Sequence, residues 1–166
     1  MNKKLYVDMD GTVAVFKQAA TLTELFSEGY FKDLRPQESV IEAVKRIYDD
    51  NLAEVFILSS YLSTSLYAIK EKNLWLDKYM PWIDRSHRIF IQCGASKAQY
   101  IADTTGLNEN TTLLDDYSYN LHQWEAAGGA NGAKAIKLLN GINGKNGTWN
   151  GARISIGDMS GLKDMI

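Results

Sequence analysis

Cysteine, proline and histidine are scarce in this chain: one, two and two residues of 166. A single thiol, Cys93, excludes an intrachain disulfide. His87 and His122 stand in no spacing that would make a soft-metal site. An excess of positive charge is also missing. Eighteen basic residues face twenty acidic ones for a net charge of −2, so no bulk basic field attracts nucleic acid. No apolar run approaches the roughly 20 residues of a membrane span. The first apolar run is short and leads directly into two aspartates, unlike a signal h-region, and the expectation is a cytoplasmic protein with no membrane partner.

What is present is an ordinary globular composition, 45% hydrophobic and 23% charged. Short apolar runs at 5–7, 54–60, 88–92, 111–114 and 135–139 read as strands. Amphipathic stretches at 37–51, 63–79, 96–105 and 118–127 read as helices. In the first, Val40, Ile41, Val44, Ile47 and Tyr48 share one face; in the second, Leu66, Ile69, Leu76 and Tyr79 are expected inward. Strands alternating with helices predict an α/β domain over 1–166, a parallel sheet covered on both faces in a three-layer sandwich. Residues 128–151 are rich in Gly and Asn and read as turns, with the fifth strand inside them. The loop and tail over 140–166 are expected either to end in a hairpin or to let 140–146 line the rim of the sheet.

Ligands of such sheets bind at the carboxyl ends of the strands. The polar residues obey that rule: Asp8 and Asp10, Ser59 and Ser60, and Asp115 and Asp116 each follow an apolar run. Asp8 and Asp10, two residues apart, repel each other unless a cation intervenes. A cluster of carboxylates without histidine or cysteine selects a hard, oxygen-preferring ion, and Mg2+ fits. Gly11 permits a tight turn with backbone N–H groups aimed at an anion. Ser59, Ser60 and Lys97, the last near a predicted helix start, are the candidate phosphate-binding groups.

The order Asp8-Met9-Asp10-Gly11-Thr12, apolar run plus serine, Lys97, then Asp115-Asp116 followed by Asn120 resembles the four motifs of haloacid-dehalogenase-type (HAD) phosphohydrolases. Phe16, the segment Val55-Phe56-Ile57-Leu58-Ser59-Ser60 and the stretch Glu71-Lys72-Asn73-Leu74-Trp75 bring it closer to the 5′(3′)-deoxyribonucleotidases. The resemblance implies a HAD-like fold and a 5′-nucleotidase-like phosphomonoesterase acting on a small phosphate ester, a nucleotide. Asp8 would be the nucleophile that forms an aspartyl-phosphate, and Asp10 the general acid and base. Metal ligands would be Asp8, Asp10 through its backbone carbonyl, and Asp116, with Asp115 behind them. Ser59, Ser60 and Lys97 would hold the phosphoryl oxygens, and Phe16 would stack on the base.

The chain departs from those nucleotidases in its cap. Only 17–36 is available for it, room for one short helix over 19–28. A cap this small leaves an open site, which either admits a bulky substrate or borrows a lid from a second copy in a homodimer. The alternatives are a phosphatase of a polynucleotide end, a phosphoprotein or another small phosphate ester, and a non-catalytic phosphate-binding module.

Overall fold

The computed structural model describes residues 2–142 and 147–166. Six strands form one wholly parallel sheet: β1 (Lys4–Val7), β2 (Glu54–Tyr61), β3 (Arg88–Gln92), β4 (Thr111–Asp115), β5 (Lys134–Leu139) and β6 (Arg153–Ser155). Their order is β3-β2-β1-β4-β5-β6. β1 lies between β2 and β4, so both of its edges are paired, and its side chains divide between the two cores packed on the sheet's faces. Leu5 and Val7 join one, Tyr6 the other. On the first face lie α1 (Glu38–Asp49), α2 (Ala68–Tyr79) and the short α5 (Leu162–Met165). On the second lie α3 (Lys97–Thr104) and α4 (Ser118–Gly128). The three-layer α/β architecture read from the strand–helix alternation is the one observed.

α1 buries Val40, Val44 and Ile47 as the 3.6-residue period requires, while Tyr48 stays partly in solvent. α2 differs from expectation in both start and face. Residues 62–67 are turns, with Ser65 Oγ accepting from the N–H of Ala68 at 3.1 Å, and the helix begins at Ala68. Its buried face is Ala68, Glu71, Lys72, Trp75 and Leu76. Leu66 is 88% exposed and Ile69 is exposed as well. Apolar periodicity misjudged this face because two of its buried side chains are charged, and each finds polar partners inside.

The segment 17–36 holds one 3-10 helix, Leu22–Phe26, followed by turns, and not a helix over 19–28. The described residues of the tail form no hairpin of strands. β6 runs parallel to β5 and is followed by α5, whose Leu162 packs into the first core with Ile154. Residues 143–146 of the expected rim loop lie outside the described residues.

Candidate active site

The sheet register assembles the site. Val7 lies beside Ile57 on one side and Leu114 on the other. The residues that follow Val7 and Leu114, Asp8 and Asp115, therefore meet at the carboxyl edge, with Ser59 two positions beyond Ile57 on the neighbouring strand. Asp8 continues the β1 ladder with its N–H donating to Leu114 O at 2.9 Å. The chain then folds back sharply, as the N–H groups of Thr12 and Ala14 both donate to Met9 O. Gly11 makes this turn at φ +86, and a Cβ there would stand 2.2 Å from Asp116 Oδ2. Only glycine serves, for backbone conformation and for space.

Lys97, buried at the start of α3, reaches under the strand ends. Its Nζ lies 2.5 Å from Asp8 Oδ1 and 2.7 Å from Asp115 Oδ2. Ser96 caps the helix through its side chain, accepting from the N–H of Gln99 at 3.2 Å. Burial alone would lower the Lys97 ammonium, but the carboxylates of Asp115 and Asp8 outweigh it and hold it above its ordinary range. One lysine does not neutralise the group. Burial, with repulsion from Asp115 and Asp10, raises the Asp8 carboxyl to about 7. Burial, with repulsion from Asp8 and Asp115, raises Asp116 to about 8.

Asp8, Asp115 and Asp116 each offer a carboxylate oxygen within 4.8 Å of the others, and all three are buried. Oxygen donors without nitrogen or sulfur, short of positive charge, fit a hard divalent cation. The three carboxylates are not equivalent. Asp115 is engaged by protein donors at both oxygens: Tyr117 N–H at 2.8 Å on Oδ1, and Lys97 Nζ with Asn120 Nδ2 at 2.9 Å on Oδ2. Asp116 Oδ2 accepts from Asn140 Nδ2 at 2.8 Å, and the same amide donates to Gly11 O at 2.8 Å. Asn140 thereby ties the end of β5 to the β1 turn. This much of the expected rim loop does border the site.

The Asp10 carboxylate points away from this cluster. Its Oδ2 forms an ion pair with Lys72 Nζ and accepts from Ser59 Oγ at 3.4 Å. Its Oδ1 is buried and has no hydrogen-bond partner among the described residues. Lys72 is fully buried and also donates to Ser59 Oγ at 2.8 Å and to Ser60 O at 2.9 Å. Sequence reasoning missed Lys72 as a site residue. The available signal was its place between the buried Glu71 and Trp75 on a helix that directly follows a strand-end serine. Ser59 is fully buried beneath the cleft, whereas Ser60 lines it.

Two cavities meet above these groups. An open cleft of about 540 Å³ is bordered by Asp8, Asp10, Lys97 and Asp116 below and by Phe16, Tyr117 and Tyr119 above. Beside it, an apolar cavity of about 270 Å³ lies under residues 17–34. Leu25, Tyr30, Phe31, Leu34, Tyr61 and Leu62 form its walls. Asp10, Phe16, Ser60 and Cys93 border both cavities. Phe16 is 41% exposed and stands at the passage between them, not in the core. Tyr30 and Phe31 are buried walls of the apolar cavity, and their rings meet edge to face at 5.0 Å. His87 pairs with Glu54 at the first residue of β2, and His122 meets Thr148; neither reaches the acidic cluster. The arrangement brings together a buried carboxylate, a cation-seeking acidic pocket and a second carboxylate beside an apolar cavity. Those are the parts needed to transfer a phosphoryl group from a leaving group with an apolar body.

The family model for 5′ nucleotidase, deoxy (pyrimidine), cytosolic type C protein matches residues 16–140, more than half of the chain. The matched span includes Phe16, Ser59, Ser60, Lys72, Lys97, Asp115, Asp116 and Asn140, and begins after Asp8 and Asp10. No curated protein matches the chain.

Proposed function

The chain belongs to the 5′ nucleotidase, deoxy (pyrimidine), cytosolic type C family, whose members are nucleotidases; it is a phosphoric monoester hydrolase, and from that premise we propose a magnesium-dependent reaction through Asp8 on a nucleoside monophosphate. The observation that carries this reading is the opposed placement of Asp8 and Asp10. One carboxylate sits in the charged pocket with Lys97, the other beside the apolar cavity.

In the first step an Asp8 carboxylate oxygen attacks phosphorus. The bond from phosphorus to the nucleoside oxygen breaks, and that oxygen takes a proton from Asp10. In the second step Asp10 takes a proton from water, and the resulting hydroxide attacks phosphorus. The bond to Asp8 breaks, inorganic phosphate leaves, and Asp10 is again protonated. Lys97 opposes the burial that raises the Asp8 carboxyl and, with Ser60, binds the phosphoryl oxygens. Oδ1 of Asp10, without a hydrogen-bond partner among the described residues, is the oxygen left to give and take the proton, because Lys72 holds Oδ2. Asp8, Asp116 and the backbone carbonyl of Asp10 would hold magnesium. Asp115 lies behind them, since protein donors already occupy both of its oxygens. Magnesium supplies charge neutralisation for the transferring phosphoryl group and for the carboxylate pocket.

The apolar cavity supports a nucleoside as leaving group. Phe16 offers an aromatic face at its mouth, and the walls are apolar or aromatic. No helix among the described residues is long and apolar enough to cross a membrane. One observation favours a second reading: the cleft stays open past Phe16 toward Tyr117 and Tyr119, both more than half exposed, so the leaving group can extend into a polynucleotide.

The test is phosphate release from deoxynucleoside and ribonucleoside monophosphates and from a 5′-phosphorylated oligonucleotide, with magnesium and with chelator. Mononucleotide turnover that requires magnesium and falls at least about 10³-fold in Asp8→Asn is expected. Metal-independent turnover, or none on any mononucleotide, overturns the proposal. Faster turnover of the oligonucleotide selects the second reading.

A further inference from the structure

α2 presents two adjacent charged residues inward, and they serve different walls of the site. Lys72 holds Asp10. Glu71, 2% exposed, turns instead toward the segment over the apolar cavity. Its Oε1 accepts from Gly29 N–H at 2.5 Å. Its Oε2 accepts from Phe31 N–H at 3.0 Å and Lys32 N–H at 3.4 Å. Gly29 enters this arrangement at φ +94, the left-handed conformation that lets successive N–H groups converge on one anion. No lysine or arginine among the described residues pairs with Glu71. Its charge is met by backbone dipoles, and among the described residues those N–H groups have no other partner.

Residues 17–34 contain only the five-residue 3-10 helix and lack a sheet or long helix to hold them. Tyr30, Phe31 and Leu34 pack into the first core, and a few polar ties fix the backbone around them. Trp75 Nε1 donates to Leu34 O at 2.8 Å, Lys72 Nζ sits 4.8 Å from the centre of the Phe31 ring, and Glu71 binds residues 29–32. Phe31 is thus gripped twice, by its backbone on Glu71 and by its ring on Lys72. Tyr30 closes the segment on itself by donating to Lys17 O. Glu71 lines neither cavity, yet it sets where Tyr30 and Phe31 stand.

We propose that Glu71 is a specificity-positioning residue: its carboxylate pins residues 29–32 as the wall of the apolar cavity and so selects leaving groups that carry a base, without a part in phosphoryl transfer. This rests on the reading of that cavity as the site of the nucleoside.

The test compares a nucleoside monophosphate with glycerol phosphate, which carries no base, on wild type, Glu71→Gln and Glu71→Ala. Glu71→Gln keeps the shape but aims an amide N–H2 at backbone donors. For the nucleotide, both variants are expected to raise KM about tenfold while kcat stays within about twofold. For glycerol phosphate, kcat/KM stays within about twofold. Glu71→Asp, which keeps the carboxylate, recovers part of the nucleotide KM. A second readout needs no turnover. Cys93, the sole thiol, borders the apolar cavity, so a nucleoside without phosphate slows its alkylation in wild type and protects it less in Glu71→Gln. Equal losses on both substrates, or unchanged selectivity and unchanged Cys93 protection, overturn the assignment. If wild type itself turns over both substrates alike, the reading of the cavity fails and the Glu71 assignment falls with it; a selective wild type with an equally selective Glu71→Gln overturns the assignment alone.

Discussion

Where β1 meets β4, the cleft is walled by charge: Asp8, Asp116 and Lys97, with Asp115 behind them, all buried, and short ion pairs join Lys97 to Asp8 and Asp115. Beside it, residues 17–34 wall the adjoining apolar cavity with rings and leucines, held by packing in the first core and by hydrogen bonds to the Glu71 and Trp75 side chains. The first wall is built on strand ends and a capped helix, so a small displacement there disturbs several buried charges at once. The second rests on a segment with little regular structure, anchored by Tyr30, Phe31 and Leu34 in the first core and by the Glu71 carboxylate. On the proposed reading the chemistry sits on the charged wall and the choice of leaving group on the apolar one.

The comparison can be broken most forcefully at Lys97. Lys97→Met leaves Asp8 and Asp115 buried without their shared cation, and urea unfolding is expected to show a loss of about 3–5 kcal/mol. Turnover is lost with it. A variant as stable as wild type would mean that the charged wall is not organised around this lysine.

Gly11→Ala strikes the same wall through the backbone. Alanine at φ +86 puts its Cβ 2.2 Å from Asp116 Oδ2, so strain adds to a displaced carboxylate. A stability loss of about 1–3 kcal/mol is expected, together with weaker magnesium binding by titration calorimetry.

The charged wall also responds to pH. A carboxyl that holds its proton more tightly in the fold than in the unfolded chain stabilises the fold at acid pH. That contribution is lost as pH rises through the folded value. For Asp8 and Asp116 the window runs from the ordinary carboxyl value of 3.8 up to about 7 and about 8. The melting temperature of metal-free protein is therefore expected to fall by roughly 5 °C between about pH 5 and pH 8. Saturating magnesium should raise it more at the upper pH than at the lower. A metal-free melting temperature that rises over this window contradicts the charge-crowded pocket.

The smallest effect belongs to the apolar wall. Phe16→Ala is expected to raise KM for a nucleoside monophosphate about tenfold, as befits roughly 1–3 kcal/mol for one base–aromatic stack. Its stability and its rate on glycerol phosphate should barely change. Equal loss on both substrates would move Phe16 from the apolar wall to the charged one.

The same contrast explains what was legible in the sequence. The charged wall draws on residues that end apolar runs, so Asp8, Asp10, Ser59, Ser60, Asp115 and Asp116 announce themselves by position, and the parallel sheet follows from the strand–helix alternation. Lys97 is legible through its order along the chain and through Ser96 before it. The apolar wall was not legible in this way. Glu71 and Lys72 look like solvent-facing helix residues, and only tertiary partners, the N–H groups of 29–32 and the Asp10 carboxylate, bury them. Leu66 and Ile69 look like core residues yet stand in solvent, because the helix begins later than its apolar pattern. Asn140 falls in a Gly- and Asn-rich stretch whose composition says turn, and its bonds to Gly11 and Asp116 depend on β5 lying beside β4.

The most direct measurement is the mass of intact protein quenched in acid during turnover of a nucleoside monophosphate with magnesium. A fraction of the chains is expected to carry one added phosphoryl group, located on Asp8 by fragmentation and absent from Asp8→Asn. Turnover with no phosphorylated chain at any quench time, or with the group on another residue, would contradict Asp8 as the nucleophile.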